Sequence, residues 1–381
     1  MNRPVFSRRD FSKAVAGSLA AAVYAPYLPA AQGGRHEHSA PAGAVHINFN
    51  ENPYGPSPKA LAALATCGGI AARYPDAAYF ALTGALAKKH GVKPENIALG
   101  CGSTEILCIA DEAFLSPGKN LVVAEPTFEA VVEYVNAAHG AANKVPLTPD
   151  YRHDLNAMAG RCTGETGLVY VCNPNNPTGT IVSRDQLAAF VNRVPRSAMI
   201  LVDEAYFEFA TDPRYATAIP LIAEHPNVIV SRTFSKVYGM AGMRLGYGVG
   251  TKEAIERLRP YNLQPFNGNA AVLAAAHASL SDQEHIAECG KKMNATRDWL
   301  CERLTKDGRK FIPSQANFVM IDMQTDVGPI VKRFYDRKIL VGRRFAALPN
   351  FLRVSIGTQP EMEQFAAALA EIKAESGSKA A

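Results

Sequence analysis

The segment Ser231-Arg-Thr-Phe-Ser-Lys-Val-Tyr-Gly-Met-Ala-Gly-Met-Arg-Leu-Gly-Tyr-Gly248 gathers an amine, hydroxyls and a guanidinium within one glycine-punctuated stretch. Lys236 follows Thr233 and Ser235 and precedes Arg244 by eight residues. A lysine after a strand is ordinarily a solvated surface group, and it is the company that sets this one apart. An amine able to form a Schiff base, set among phosphate-binding groups, suits pyridoxal phosphate. Asp203-Glu-Ala-Tyr206 closes the apolar run Met199–Val202. A carboxylate at the C-terminal end of a strand points into the crevice where α/β folds bind ligands. Paired with a pyridine nitrogen it would keep that nitrogen protonated, so that the ring accepts carbanion electrons. Taken alone, the aspartate is better explained as a helix N-cap.

Three further segments follow strand-like runs. Asn173-Pro-Asn-Asn-Pro-Thr-Gly179 is on its own a turn. Gly100-Cys-Gly-Ser-Thr-Glu105 joins a strand to a helix, where open backbone amides bind phosphate. It lacks the third glycine of the dinucleotide fingerprint, which argues against a nicotinamide dehydrogenase. Pro126-Thr-Phe128 puts an aromatic after another strand end, able to stack on a ring or simply to join the core.

The elements that must position these groups alternate along the chain. Apolar runs at Ile97–Leu99, Leu121–Ala124, Leu168–Cys172, Met199–Val202, Val228–Ser231 and Leu245–Val249 read as strands. Helical patterns cover Thr104–Leu115, Thr127–His139 and Arg184–Val194. Such alternation predicts an α/β layer with a mostly parallel sheet. Beyond Pro265 come helices over Ala270–Leu280 and Asp282–Lys306, then Ile312–Asp322, a helical Val327–Lys338, Phe351–Gly357 and a last helix over Glu361–Glu375. Two strands and two helices at the C-terminus predict a second, smaller α/β unit.

The 381 residues carry 48% hydrophobic and 20% charged side chains, an ordinary globular balance that excludes a disordered or fibrous chain. The formal charge of +5 is too small and scattered for nucleic acid, and no run is apolar enough for stable membrane insertion. Seven cysteines form no CxxC pair and no zinc-like cluster, so they read as small buried apolar residues and no metal is expected. Residues 1–31 have another grammar. A basic start with Arg8-Arg9, a weakly apolar stretch Ala14–Tyr24 and small residues up to Ala30-Ala31 predict a removable address. Ser7-Arg-Arg-Asp-Phe-Ser-Lys13 is similar to the twin-arginine export signal, which implies the twin-arginine machinery as a partner and a periplasmic location. Its removal takes the formal charge from +5 to +2.

The order and spacing of the motifs resemble fold type I pyridoxal-phosphate enzymes, the aspartate-aminotransferase superfamily, and within it the histidinol-phosphate aminotransferase group. The resemblance runs from about Asn48 to Ile372. It rests on NENPYGPSP from Asn50, RYPD at 73–76, GCGSTE, NPNNPTG, DEAY, RTFSK and LRVSIGT at 352–358. Each is weak alone; seven in family order carry the likeness. It implies that Lys236 forms the Schiff base with the cofactor and shuttles the proton. Asp203 would hold the pyridine nitrogen, and Asn176 and Tyr206 would donate to the ring's 3-oxygen. Ser103, Thr104, Thr233, Ser235 and Arg244 would hold the phosphate, and Phe128 would stack on the ring where relatives often carry tyrosine. Tyr74 would reach the phosphate of a neighbouring subunit, which implies a homodimer. Arg353 would grip the substrate's acidic group, with Arg343 or Arg344 as a second arginine, and Tyr54 would cover the substrate.

The implied organisation is a leader over 1–31, a linker and N-terminal segment over 32–70 that joins the small domain, a large cofactor domain over 71–268, a small domain over 269–375 and a tail over 376–381. The implied activity is ping-pong amino transfer between an amino acid, or histidinol phosphate, and a 2-oxo acid such as 2-oxoglutarate. A decarboxylase on the same scaffold is the alternative, ahead of a non-catalytic binding protein. The export address favours a non-phosphorylated substrate, since phosphorylated intermediates do not freely cross the inner membrane.

Overall fold

A computed structural model describes residues 40–377, apart from 136, 137, 139 and 263–267. The leader, the linker as far as residue 39, the end of the expected helix Thr127–His139 and the last four residues lie outside the described residues. The strands are β1 (Val45–Ile47), β2 (Ile97–Gly100), β3 (Asn120–Glu125), β4 (Ala141–Pro146), β5 (Thr166–Cys172), β6 (Met199–Asp203), β7 (Val228–Thr233), β8 (Gly246–Val249), β9 (Phe311–Ile312), β10 (Phe318–Asp322), β11 (Ile339–Val341) and β12 (Phe351–Ser355).

Seven of them form one sheet in the order β2-β8-β7-β6-β5-β3-β4. The run from β7 to β4 is parallel throughout, and β8 alone pairs antiparallel, with both β7 and β2. Side chains alternate between two buried layers, as a two-sided sheet requires. Val122, Val169, Ile200, Val202 and Val230 pack on one face. Leu121, Leu168, Tyr170, Leu201 and Ile229 pack on the other. Each such aliphatic side chain contributes ~1.5–3 kcal/mol when fully buried.

β4 was not expected from sequence. It is an edge strand in which Ala141, Ala142 and Lys144 face outward, so it lacks an apolar run. The helix expected from Thr127 starts only at Ala130. The C-terminal unit also differs from the expected two strands. The run Ile312–Asp322 is broken into β9 and β10, which pair antiparallel, because Pro313 has no N–H to continue a strand. β12 adds to the other edge of β10. β11 leaves this sheet and pairs in parallel with β1, Val45 opposite Ile339. Three residues are too few to show a period. Of the cysteines, Cys172 and Cys289 are buried but Cys101 is exposed, against the expectation that all are core residues; none is in a disulfide.

Candidate active site

The C-terminal ends of the parallel strands open onto a cavity of about 770 Å³. Turns after β2, β3, β5, β6 and β7 all reach it, which is where an open α/β sheet places ligands. β8 contributes from its start because it runs the other way. Its Gly246 lies between Gly100 and Thr233 in register, so Arg244, two residues earlier, arrives at the same edge.

One end of the cavity is built for a phosphate. The helix Ser103–Phe114 begins there behind Gly102, which offers no side-chain cap. Its first N–H groups are therefore open to an anion. The Ser103, Thr104, Thr233 and Ser235 side chains and Arg244 line the same end. Arg244 sits in the left-handed region at φ 57° and donates to Ser235 Oγ (3.3 Å) and the Ala241 carbonyl (2.8 Å). Two glycines make room. A Cβ on Gly102 would lie 2.3 Å from Arg244 Nη2, and one on Gly246 would lie 2.1 Å from the Ser103 nitrogen.

The middle of the cavity suits a protonated aromatic ring. Asp203 ends β6 buried, with Oδ2 accepting from Tyr170 (2.9 Å) and Oδ1 from Ser231 (3.0 Å) and the Ala205 N–H (3.2 Å). Burial pushes its pKa up, and the three donors push it back toward the ionised form. A carboxylate so desolvated lacks a cation, and a pyridinium N–H supplies one. Phe128, Asn176 and Tyr206 line the same space. The Tyr206 hydroxyl accepts from Asn50 Nδ2 at 3.1 Å, and burial raises its pKa.

Lys236 stands opposite, half-buried, with Nζ donating to the Phe49 carbonyl at 3.1 Å. Burial first, then the charge of Arg353, lowers its pKa to about 8, while Glu51 pulls the other way. The amine is thus readily neutral, the form that attacks carbonyls and accepts protons. Arg353, on β12, is 8% exposed and donates to Asn176 Oδ1 (2.8 Å) and the Asn48 carbonyl (2.9 Å). Its Nε is buried and has no protein partner. Burial lowers its pKa to about 10, so it stays cationic at neutral pH.

The cavity thus collects the residues picked from sequence except Tyr54, Tyr74 and Arg344, the alternative to Arg343. Arg343 lines it beside Phe345, whereas Arg344 turns away to pair with Asp326 at 2.7 Å. Tyr54 is not brought over the cavity. Its N–H is held by Asn52 Oδ1, and its ring packs on the core with Lys292 Nζ 5.4 Å from the centroid. Tyr74 is 84% exposed. The sequence reading missed Asn50, Tyr170, Ser231 and Glu129. Asn50 ties the site together at φ 56°: its N–H donates to Ser355 Oγ (2.8 Å) and its carbonyl accepts from Asn317 (3.0 Å). The signal for Tyr170 was a hydroxyl inside an apolar strand, which must find a partner.

Known proteins place this arrangement. The family model described as aminotransferase class I and II matches residues 43–369. A histidinol-phosphate aminotransferase of Moorella thermoacetica is 42% identical over 333 residues, 87% of this chain and 86% of its own. A putative histidinol-phosphate aminotransferase of Erwinia carotovora atroseptica superposes with a TM-score of 0.85 at 33% identity, over 89% of this chain and 99% of its own. The Sinorhizobium meliloti histidinol-phosphate aminotransferase, solved in complex with pyridoxal 5'-phosphate, gives 0.80 at 32% identity, over 86% and 90%. With the match spanning both the sheet that carries Lys236 and the strand that carries Arg353, the chain belongs to the class I and II aminotransferases.

Proposed function

We propose that this enzyme transfers the amino group of a monoanionic amino acid to a 2-oxo acid, works as a homodimer, and does so after export. That it is a pyridoxal-phosphate-dependent aminotransferase follows from its family and from a cavity that fits the cofactor. Bound pyridoxal phosphate supplies the carbonyl that takes up the amino group and a ring that accepts electrons. The chain supplies the rest. Ser103, Thr104, Thr233, Ser235 and Arg244 hold the phosphate, and Asp203 holds a proton on the ring nitrogen. Lys236 Nζ takes the proton from the donor's Cα, and Arg353 fixes the donor's anion.

The observation that carries the substrate reading is the state of the two arginines. Arg343 is paired with Glu129, so Arg353, which lines the same cavity, is the guanidinium left for the substrate. One guanidinium suits a carboxylate; a phosphate dianion is better served by two. Histidinol phosphate, the compound in the relatives' names, is the competing substrate. Turnover of a panel of aromatic, imidazole-bearing and acidic amino acids beside histidinol phosphate, with 2-oxoglutarate as acceptor, tests it. A strong preference for histidinol phosphate overturns the monoanionic reading. Carbon dioxide release without a 2-oxo acid product points to a decarboxylase instead.

Two observations support the dimer. Leu61, Ile70 and Phe80 are exposed on elements around the helix Ala270–Leu280, and Tyr74 projects from the segment between them. Exposed apolar groups of this size mark interfaces when they share a face. Export rests on the leader, Ser7–Lys13 with the apolar stretch after it. Twin-arginine export carries folded, cofactor-loaded proteins, which suits an enzyme whose cofactor is made inside the cell.

A further inference from the structure

We infer that Glu129 is a positioning residue that sets substrate preference by occupying Arg343 until a second anion displaces it. The inference rests on the reading that Arg353 holds the substrate's first anion.

Glu129 follows Phe128 on the turn between β3 and the helix Ala130–Val135, and Arg343 follows β11. Their side chains meet across the cavity, Oε2 of Glu129 accepting from Arg343 Nη2. Both line the cavity, as does Glu133 one turn further on. Arg343 and Arg353 flank one ring: their guanidinium carbons lie 4.4 and 5.1 Å from the centroid of Phe345. The second guanidinium is therefore in place for a substrate that carries two anions, but a carboxylate of the protein already sits on it.

Arg343 and Glu129 are each about half exposed, 57% and 46%, and an ion pair this wet is weak. An incoming anion can displace it. A substrate with one anion uses Arg353 and leaves the pair closed. A substrate with a second one, a side-chain carboxylate or a phosphate ester, must compete with Glu129 for Arg343, and Glu133 adds repulsion. The pair thus discriminates by an obstacle to dianions, not by an extra contact to the preferred substrate. Glu129 itself need never touch the substrate.

The test uses holoenzyme and two unreactive probes, succinate as dianion and butanoate as monoanion, with binding read by calorimetry. Kinetics with aspartate and phenylalanine run alongside. Glu129→Gln should tighten succinate binding by about two- to fivefold, the scale of releasing one exposed ion pair, with no comparable change for butanoate. The aspartate gain should lie in KM and not in kcat. Adding Arg343→Gln to Glu129→Gln should erase the gain, which a merely structural effect of residue 129 would not predict. Unchanged succinate binding in Glu129→Gln, or a gain that survives in the double variant, overturns the inference. Undiminished butanoate binding in Arg353→Gln would instead overturn the reading beneath it.

Discussion

Tyr170 donates its hydroxyl to Oδ2 of Asp203 at 2.9 Å, from a neighbouring strand that is otherwise apolar from Gly167 to Cys172. The tyrosine is wholly buried, so the bond is shielded from water, and it opposes the rise that burial imposes on the aspartate's pKa. The ionised state of Asp203 therefore depends on a residue that never reaches the substrate.

Tyr170→Phe should lower kcat by about tenfold, the worth of one hydrogen bond to a charge. With that donor gone the Asp203 pKa rises further, so the acid limb of the kcat profile should move to higher pH. Asp203→Asn should bind cofactor yet lose nearly all turnover, because the loss falls on the transition state. A Tyr170→Phe profile superimposable on the wild type would break the link.

The Lys236 amine should titrate near 8 in the cofactor-free protein. Attachment of pyridoxal phosphate, fixed with borohydride, should accelerate with pH and level off above about 8. An unshifted amine would go on accelerating toward 10.5. The sign for stability is the same. Between about 8 and 10.5 the unfolded chain keeps a proton that the folded chain has shed, so stability rises with pH across that window. Lys236→Ala should show no fixed cofactor and almost no turnover.

Gly102→Ala should weaken cofactor binding by about tenfold or more, through a Cβ pressed on Arg244 at a backbone φ of +78°. Fluorescence titration with pyridoxal phosphate measures it. Wild-type affinity would mean that Arg244 moves freely and does not define the anion site.

Mixing inactive Lys236→Ala and Tyr74→Ala proteins should restore part of the activity, since one site of each hybrid dimer is then intact. Size-exclusion chromatography should give a dimer at micromolar concentration. A fully active monomer would remove Tyr74 from the site.

Cell fractionation should find the wild type in the periplasm and an Arg8→Lys/Arg9→Lys variant inside. Equal distribution of the two would end the export reading.

Much of this site was readable because its groups sit next to one another in the chain. Thr233 ends β7, Ser235, Lys236 and Arg244 follow in the segment before β8, and Asp203 closes an apolar strand. What escaped are groups joined by tertiary contact alone. Asn50 meets Ser355 and Tyr206 across 305 and 156 residues, and Glu129 meets Arg343 across 214. No local pattern carries such a pairing. The fold shows the same division: central strands with continuous apolar runs were visible, whereas the half-exposed β4 and the three-residue β1 and β11 were not.

The pairing of β1 with β11 also fixes an order of assembly. As the chain leaves the ribosome, Val45 is among the early residues and Ile339 among the late ones, yet they are neighbours in the finished molecule. Asn48 to Glu51, which follow β1 and bring the Phe49 carbonyl to Lys236, have no seat until translation is almost complete. By then the large sheet, with its phosphate cradle and Asp203, is already synthesised. Lys236 thus stays uncovered from its own synthesis until β11 emerges, about a hundred residues later, and only then can the segment after β1 shut the door over the site.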